Sequence, residues 1–193
     1  MARPREFDQE QVLQNAMLAF WRHGYLGTGM QELVNVTGIN RASLYGAFGN
    51  KQQLFLAALK RYTGICLREL RQALESGASV DAAIRNMLDF FMDTVLKNAR
   101  GCLLYNTALE VSTYDREIAR EVDSGMRQIE IMLTAKIKTA QNEGELVVGT
   151  NPLTLARAVM AAMQSMTVRG SAGGSGEILS SIRDGAMLLF QRQ

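Results

Sequence analysis

The sequence predicts an all-α fold: a three-helix head built on a helix-turn-helix, followed by a body of about six helices. Three observations carry this expectation. Helix start and stop signals recur along the chain, whereas strand signals hardly appear. Apolar residues keep near-helical spacing over long stretches. Two short helical segments meet at Thr37-Gly38-Ile39, where the glycine suits a left-handed residue ending one helix and the isoleucine is an apolar plug before the next. The expected division is residues 1–49, an N-terminal arm with the helix-turn-helix, and residues 50–193, the body.

The first helix starts at Asp8, a cap residue with Gln11 as its reciprocal partner three positions on and with Phe7 and Val12 as a hydrophobic staple. Ala16, Met17, Phe20 and Trp21 continue its apolar face. Arg22 and His23 fall in its last turn, where positive charge suits the helix dipole, and Gly24 ends it. That position gives His23 a simpler explanation than catalysis. Thr28 with Gln31 repeats the capping pattern and opens the second helix. Asn40 caps the third, whose exposed first residues are Arg41, Ala42 and Ser43, the part of a recognition helix that reaches base edges. Leu33, Val36, Ile39, Leu44 and Phe48 are expected to hold this unit together from inside.

Asn50 with Gln53 repeats the capping pattern once more and opens a long fourth helix, in which Phe55, Leu59, Tyr62, Cys66 and Leu70 keep helical spacing up to Gly77. Residues 81–96 form an amphipathic segment with Ile84, Met87, Leu88, Phe91 and Val95 on one face. A short helix over 102–111 and a long charged one over 115–140 follow. Asn151-Pro152 supplies a cap and a proline at the first helical position of a further helix. Its body, residues 153–168, is apolar nearly all round, with small Ala156, Ala158, Ala161 and Ala162 among larger residues, so it must be covered on more than one side. Together with an amphipathic segment over 178–190 it can form half of an isologous four-helix interface between two copies. The Gly/Ser stretch at 170–176 follows a helix and lacks the lysine of a phosphate loop, so it is a linker.

Composition excludes several classes. No apolar run is long enough to span a bilayer and residues 1–7 are polar and basic, so a cytoplasmic protein without a membrane partner is expected. Two cysteines, Cys66 and Cys102, are too few for a disulfide scaffold. One histidine and two separated cysteines cannot make an ordinary zinc site, and no cofactor motif or nucleophile–base pair is present, so neither a metal, a cofactor nor an enzymatic activity is expected. Residues 1–63 carry seven Lys and Arg against four acidic residues, a mild basic excess at the end that holds the helix-turn-helix.

The residues Gly24-Tyr25, Thr28, Thr37-Gly38-Ile39, Leu44-Tyr45, Phe48, Lys51 and Leu54 resemble, in order and spacing, the N-terminal signature of TetR/AcrR-type transcriptional regulators. The resemblance implies a DNA-binding head, a helical body that takes a small-molecule inducer, and a homodimer through the last two helices, near 152–168 and 178–190, that represses a gene from a pseudo-palindromic operator. Carried onto this chain, Thr28 and Lys51 stand at helix N-termini that hold phosphate oxygens, and Tyr45 adds a hydroxyl. Arg41 is the candidate for direct base readout, flanked by Asn40, Ala42 and Ser43. Gly46 departs from the pattern, where the family commonly has a bulky residue on DNA. Arg3 and Arg5 form an arm that either enters a minor groove or remains a solvated terminus.

The pocket candidates are Met87, Phe91, Cys102, Tyr105, Asn106, Met126 and Met163. The methionines among them serve equally as plain core. Gly101-Cys102-Leu103-Leu104 resembles a segment of those family members that sense electrophiles or oxidants, and a place in the first turn of a helix beside Arg100 favours thiolate at Cys102; the opposing reading is a small buried hydrophobe. The expected function is a homodimeric repressor released by a small apolar or electrophilic effector. The alternative is a small-molecule or thiol-reactive sensor in which the DNA-binding head is not the main output.

Overall fold

The computed structural model describes residues 7–98, 100–146 and 149–190. Among them every regular element is helical: α1 (Gln9–Gly27), α2 (Met30–Thr37), α3 (Arg41–Phe48), α4 (Lys51–Glu75), α5 (Val80–Asn98), α6 (Leu103–Glu110), α7 (Arg116–Asn142), α8 (Pro152–Ser171) and α9 (Gly176–Met187), then a 3₁₀ turn at Leu188–Phe190. The expected all-α fold is what the chain adopts. Arg3 and Arg5 lie outside the described residues.

Local chemistry explains where the helices begin. Asp8 accepts the backbone N–H of Glu10 at 2.9 Å and caps α1, but Gln11 reaches forward to Asn15 Oδ1 instead of back to the cap. At α4 the reciprocal box is complete: Asn50 Oδ1 accepts from Gln53 N at 2.9 Å and Gln53 Oε1 accepts from Asn50 N at 3.2 Å. The box expected at Thr28 does not form. Gly29 is the N-cap of α2, without a side-chain cap bond, because Thr28 is fully buried and its hydroxyl donates to the Gly24 carbonyl at 2.6 Å.

The chain divides into two compact units, with the boundaries inside α4, α6 and α7. The first unit runs to Gly64 and takes in Asn106–Asp123. Its core is Val12, Ala16, Met17 and Phe20 of α1, Leu33 of α2, Leu44 of α3, and Leu54, Phe55 and Leu59 of α4. Aromatic rings join α1 to α4: Phe20 meets Phe55 edge-on at 4.9 Å, Tyr25 lies 4.8 Å from Phe55, and Trp21 meets Tyr62 at 5.2 Å. One inward position differs from expectation. Val36 points outward and Thr37 takes the inner place one turn after Leu33, since its hydroxyl can donate to the Leu33 carbonyl without leaving a polar group unpaired.

The second unit holds Ile65–Tyr105 and Ser124–Gln193. Here α5, α8 and α9 pack together around Ile84, Met87, Leu88, Val159, Met163, Met166 and Leu179. Gly170 has its function at this packing: a Cβ there would collide with Val95, so α8 and α5 approach more closely than any larger residue allows. Arg183 of α9 donates to Asp89 of α5 at 2.6 Å. On the outer side of α8 and the turn after α9, Val168, Leu188 and Leu189 stay exposed.

Candidate nucleic-acid interface

The turn between α2 and α3 follows from two residues. Gly38 adopts φ 71°, ψ 8°, the left-handed conformation that costs glycine nothing, and its N–H bonds the Val34 carbonyl. Asn40 Oδ1 then accepts from Ser43 N at 2.8 Å, which fixes the start of α3. Arg41 and Ala42 are therefore held exposed at the helix N-terminus, Tyr45 is exposed one turn later, and Ser43 is half-buried beside them. Gly46 faces open space, so the bulky contact of related heads is absent without any compensating neighbour.

Lys51 begins α4 with its ammonium 4.5 Å from the centre of the Tyr25 ring. Burial lowers the Lys51 pKa from its ordinary value, and the Glu110 carboxylate opposes that shift. Burial likewise raises the Tyr25 phenol, with the Asp115 charge adding to the rise. Both groups are half-buried, and partial desolvation is the larger cause of each shift. Of the residues expected on DNA, Asn40, Arg41, Ala42, Tyr45 and Lys51 lie at or near the exposed N-termini of α3 and α4, whereas the Thr28 side chain is turned inward.

Sequence reasoning missed Glu110. It is the last residue of α6, where the dipole disfavours a carboxylate, and that anomaly was the available signal. The structure resolves it: Glu110 Oε2 accepts from Tyr25 N at 3.0 Å and Oε1 from Leu26 N at 2.8 Å. The two amides are freed by a break in α1 at Gly24, whose φ 73°, ψ 175° is a conformation essentially confined to glycine. A Cβ at Gly24 would lie 2.6 Å from both carboxylate oxygens. The backbone angles require glycine there, and a side chain would also displace the carboxylate from the two amides. Two further polar contacts repeat the pattern within the same unit: Gln52 Nε2 donates to Asp115 Oδ2 at 2.7 Å, and Lys60 stands 3.7 Å from Glu121.

The expected pocket residues are mostly packed core. Met87 and Phe91 of α5, Cys102, Tyr105 and Met163 are all buried, and Asn106 and Met126 are half-buried. Tyr105 Oη donates to the Met160 carbonyl at 3.1 Å, and burial pushes its phenol far above the ordinary value. Cys102 immediately precedes α6 and is only 2% exposed, so a reagent reaches it only through local opening. Burial raises the Cys66 thiol well above its ordinary value, followed by the influence of Cys102 and Glu69, which keeps it a thiol at neutral pH. A cavity of about 530 Å³ lies elsewhere in the second unit, between α4 and α7, and none of these candidates lines it.

Comparison with known proteins agrees with this geometry. Residues 12–58 match the model for bacterial regulatory proteins of the tetR family, and residues 76–185 match the tetracyclin repressor-like C-terminal domain. An uncharacterized HTH-type transcriptional regulator of Bacillus subtilis, YezE, is 34% identical over 148 residues, 76% of each chain. The HTH-type transcriptional repressor ComR of Escherichia coli is 29% identical over 97% of this chain and 91% of its own. Among solved structures, a cysteine mutant of the TetR family transcriptional regulator CifR, complexed with 26 bp double-strand operator DNA, superposes with a TM-score of 0.89 at 26% identity, covering 98% of this chain and 100% of that one.

Proposed function

The chain belongs to the TetR family of bacterial regulatory proteins and is a DNA-binding transcriptional regulator; on that premise we propose that it is a homodimeric, cytoplasmic repressor released from a pseudo-palindromic operator by a small apolar effector. The observation that carries the reading is the exposed start of α3, where Arg41 and Ala42 project under the Asn40 cap. An arginine at that place can bind a guanine edge through two parallel hydrogen bonds. Lys51 at the start of α4 and the Tyr45 hydroxyl then position the head on phosphates, and Arg3 and Arg5 extend the contact into the minor groove.

Dimerisation through α8 and α9 is supported by the small and apolar residues left exposed on α8, Ala161 and Val168, and in the turn that follows α9, Leu188 and Leu189. No helix among the described residues is long and apolar enough to cross a membrane. Release works by population shift: an effector that binds better to the conformation with mis-spaced heads lowers the fraction able to span both half-sites. A small apolar effector is favoured over an electrophile by the burial of Cys102.

The test is a mobility-shift titration, at several salt concentrations, on DNA upstream of the chain's own gene. Arg41→Ala is expected to cost about 1–3 kcal/mol on the specific site and to relax base preference at one position in each half-site. Lys51→Ala is expected to weaken all sequences evenly and to reduce the salt slope by about 1. If both variants bind as the parent does, the head assigned here does not read DNA.

A further inference from the structure

The groove between α4 and α7 has a composition that the reading of DNA does not use. On α4, Leu67, Arg71 and Leu74 recur at one-turn spacing along one wall, and on α7, Gln128, Met132 and Lys136 do the same along the other, with Ile131 beside them. The groove is open to solvent, and its volume, about 530 Å³, lies within the range of small-molecule sites. Leu74 is buried and closes the floor, Leu67 and Met132 are half-buried on the walls, and Ile131 is 66% exposed at the margin. An isoleucine this exposed beside an apolar wall is surface that a ligand tail would cover with gain.

The charges are the second, independent observation. Arg71 and Lys136 both line the groove, and among the described residues neither has an ion-pair partner. Glu75 also lines it and is likewise unpaired, so the groove carries two cations against one carboxylate. A wholly apolar ligand would use only the walls and leave the two cations at the rim to water. A ligand with one anionic head and an apolar tail satisfies both halves of the site. The planar guanidinium of Arg71 matches a carboxylate through two parallel hydrogen bonds.

From this juxtaposition of apolar walls with two cations that are unpaired among the described residues, we propose that the α4–α7 groove is a binding site for amphiphilic carboxylates, compounds with a single carboxylate and an apolar tail. The regulatory consequence rests on the repressor reading above, with the apolar effector of that reading narrowed to one that carries an anionic head; the binding itself does not. Occupation of the groove would then be the event that releases the operator.

The experiment uses the full chain and decanoate, below its micellar concentration, as the probe in isothermal titration, with decan-1-ol and acetate as controls. Decanoate is expected to bind, and both the uncharged tail and the tail-less carboxylate are expected to bind roughly tenfold or more weakly. The double variant Arg71→Ala, Lys136→Ala, in which Arg71 is exposed and Lys136 half-buried without an ion pair among the described residues, is expected to lose roughly tenfold or more in decanoate affinity while its melting curve and its operator affinity without ligand stay unchanged. Decan-1-ol binding as tightly as decanoate, or a double variant with unchanged decanoate affinity, overturns the proposal. A mobility shift run alongside separates the two claims. Operator retardation without decanoate binding leaves the repressor reading intact and overturns the groove; decanoate binding without retardation upholds the groove and overturns the repressor reading.

Discussion

Replacing Phe55 by alanine is expected to lower stability by about 3–5 kcal/mol, the largest effect of any substitution considered for the head. Phe55 is fully buried at the centre of the α1–α4 junction, with the Phe20 ring edge-on at 4.9 Å and the Tyr25 ring at 4.8 Å. Truncation removes the transfer free energy of the ring, leaves a cavity that the two helices cannot close without moving, and forfeits two aromatic contacts. For a chain of this length the melting midpoint should fall by roughly 6–20 °C if unfolding is two-state. The loss should also reach DNA binding. Lys51 lies over Tyr25, so a disturbed aromatic cluster disturbs the start of α4. A melting curve that moves by no more than a surface substitution would move it shows that the junction is not packed as described.

Removing the Glu110 carboxylate tests a different link. Glu110→Ala takes away the acceptor of two backbone amides, Tyr25 N and Leu26 N, at the place where α1 breaks. Bonds to a charged acceptor are stronger than neutral ones, but Leu26 is well exposed and its amide recovers a bond to water. The half-buried Tyr25 amide recovers less. The net expectation is a destabilisation of about 1–3 kcal/mol. Glu110→Gln should fall between, since its carbonyl can keep one amide while its NH₂ faces the other. Operator affinity measured at fixed salt should fall alongside stability, because the same carboxylate orders the end of α1 and acts on Lys51. Unchanged melting together with unchanged operator affinity would remove Glu110 from any role in ordering the head.

The comparison of sequence with structure divides by range. Caps and turns were legible because their chemistry is local. Asp8, Asn40 and the Asn50–Gln53 pair each satisfy amides within three residues, and Gly38 needs only its own dihedral angles. Thr28 shows the limit of that logic. Its sequence context is a capping box, yet a buried hydroxyl with a carbonyl four residues back at 2.6 Å has a better partner than the helix it precedes. Gly24, expected to end the first helix, instead breaks α1, which runs on to Gly27, and the carboxylate from α6 in the space of its missing side chain belongs to a residue 86 positions away in the chain. A carboxylate at the end of α6 hints that Glu110 has an outside partner, but which partner, Tyr25 here as Asp115 for Gln52, has no local signature. The groove is a third case. Arg71 and Lys136 each look like ordinary surface charges on their own helices, and only the packing of α4 beside α7 puts them over shared apolar walls.

The expected pocket illustrates the same point from the other side. Met87, Phe91 and Met163 have the composition of a flexible apolar lining, and they are buried because α5, α8 and α9 pack together there. Helical periodicity identifies which face of a helix is covered. It does not say whether protein or ligand covers it.

The central claim is that two copies of this chain read one DNA site through the start of α3. Hydroxyl-radical footprinting on DNA upstream of the chain's own gene tests it most directly. The account predicts two protected half-sites related by a dyad, about 34–36 Å apart along one face of the duplex, present with the parent protein and lost with Arg41→Ala at the same concentration and salt. A footprint that ignores sequence, a single unpaired half-site, or a paired footprint that Arg41→Ala leaves in place would contradict it.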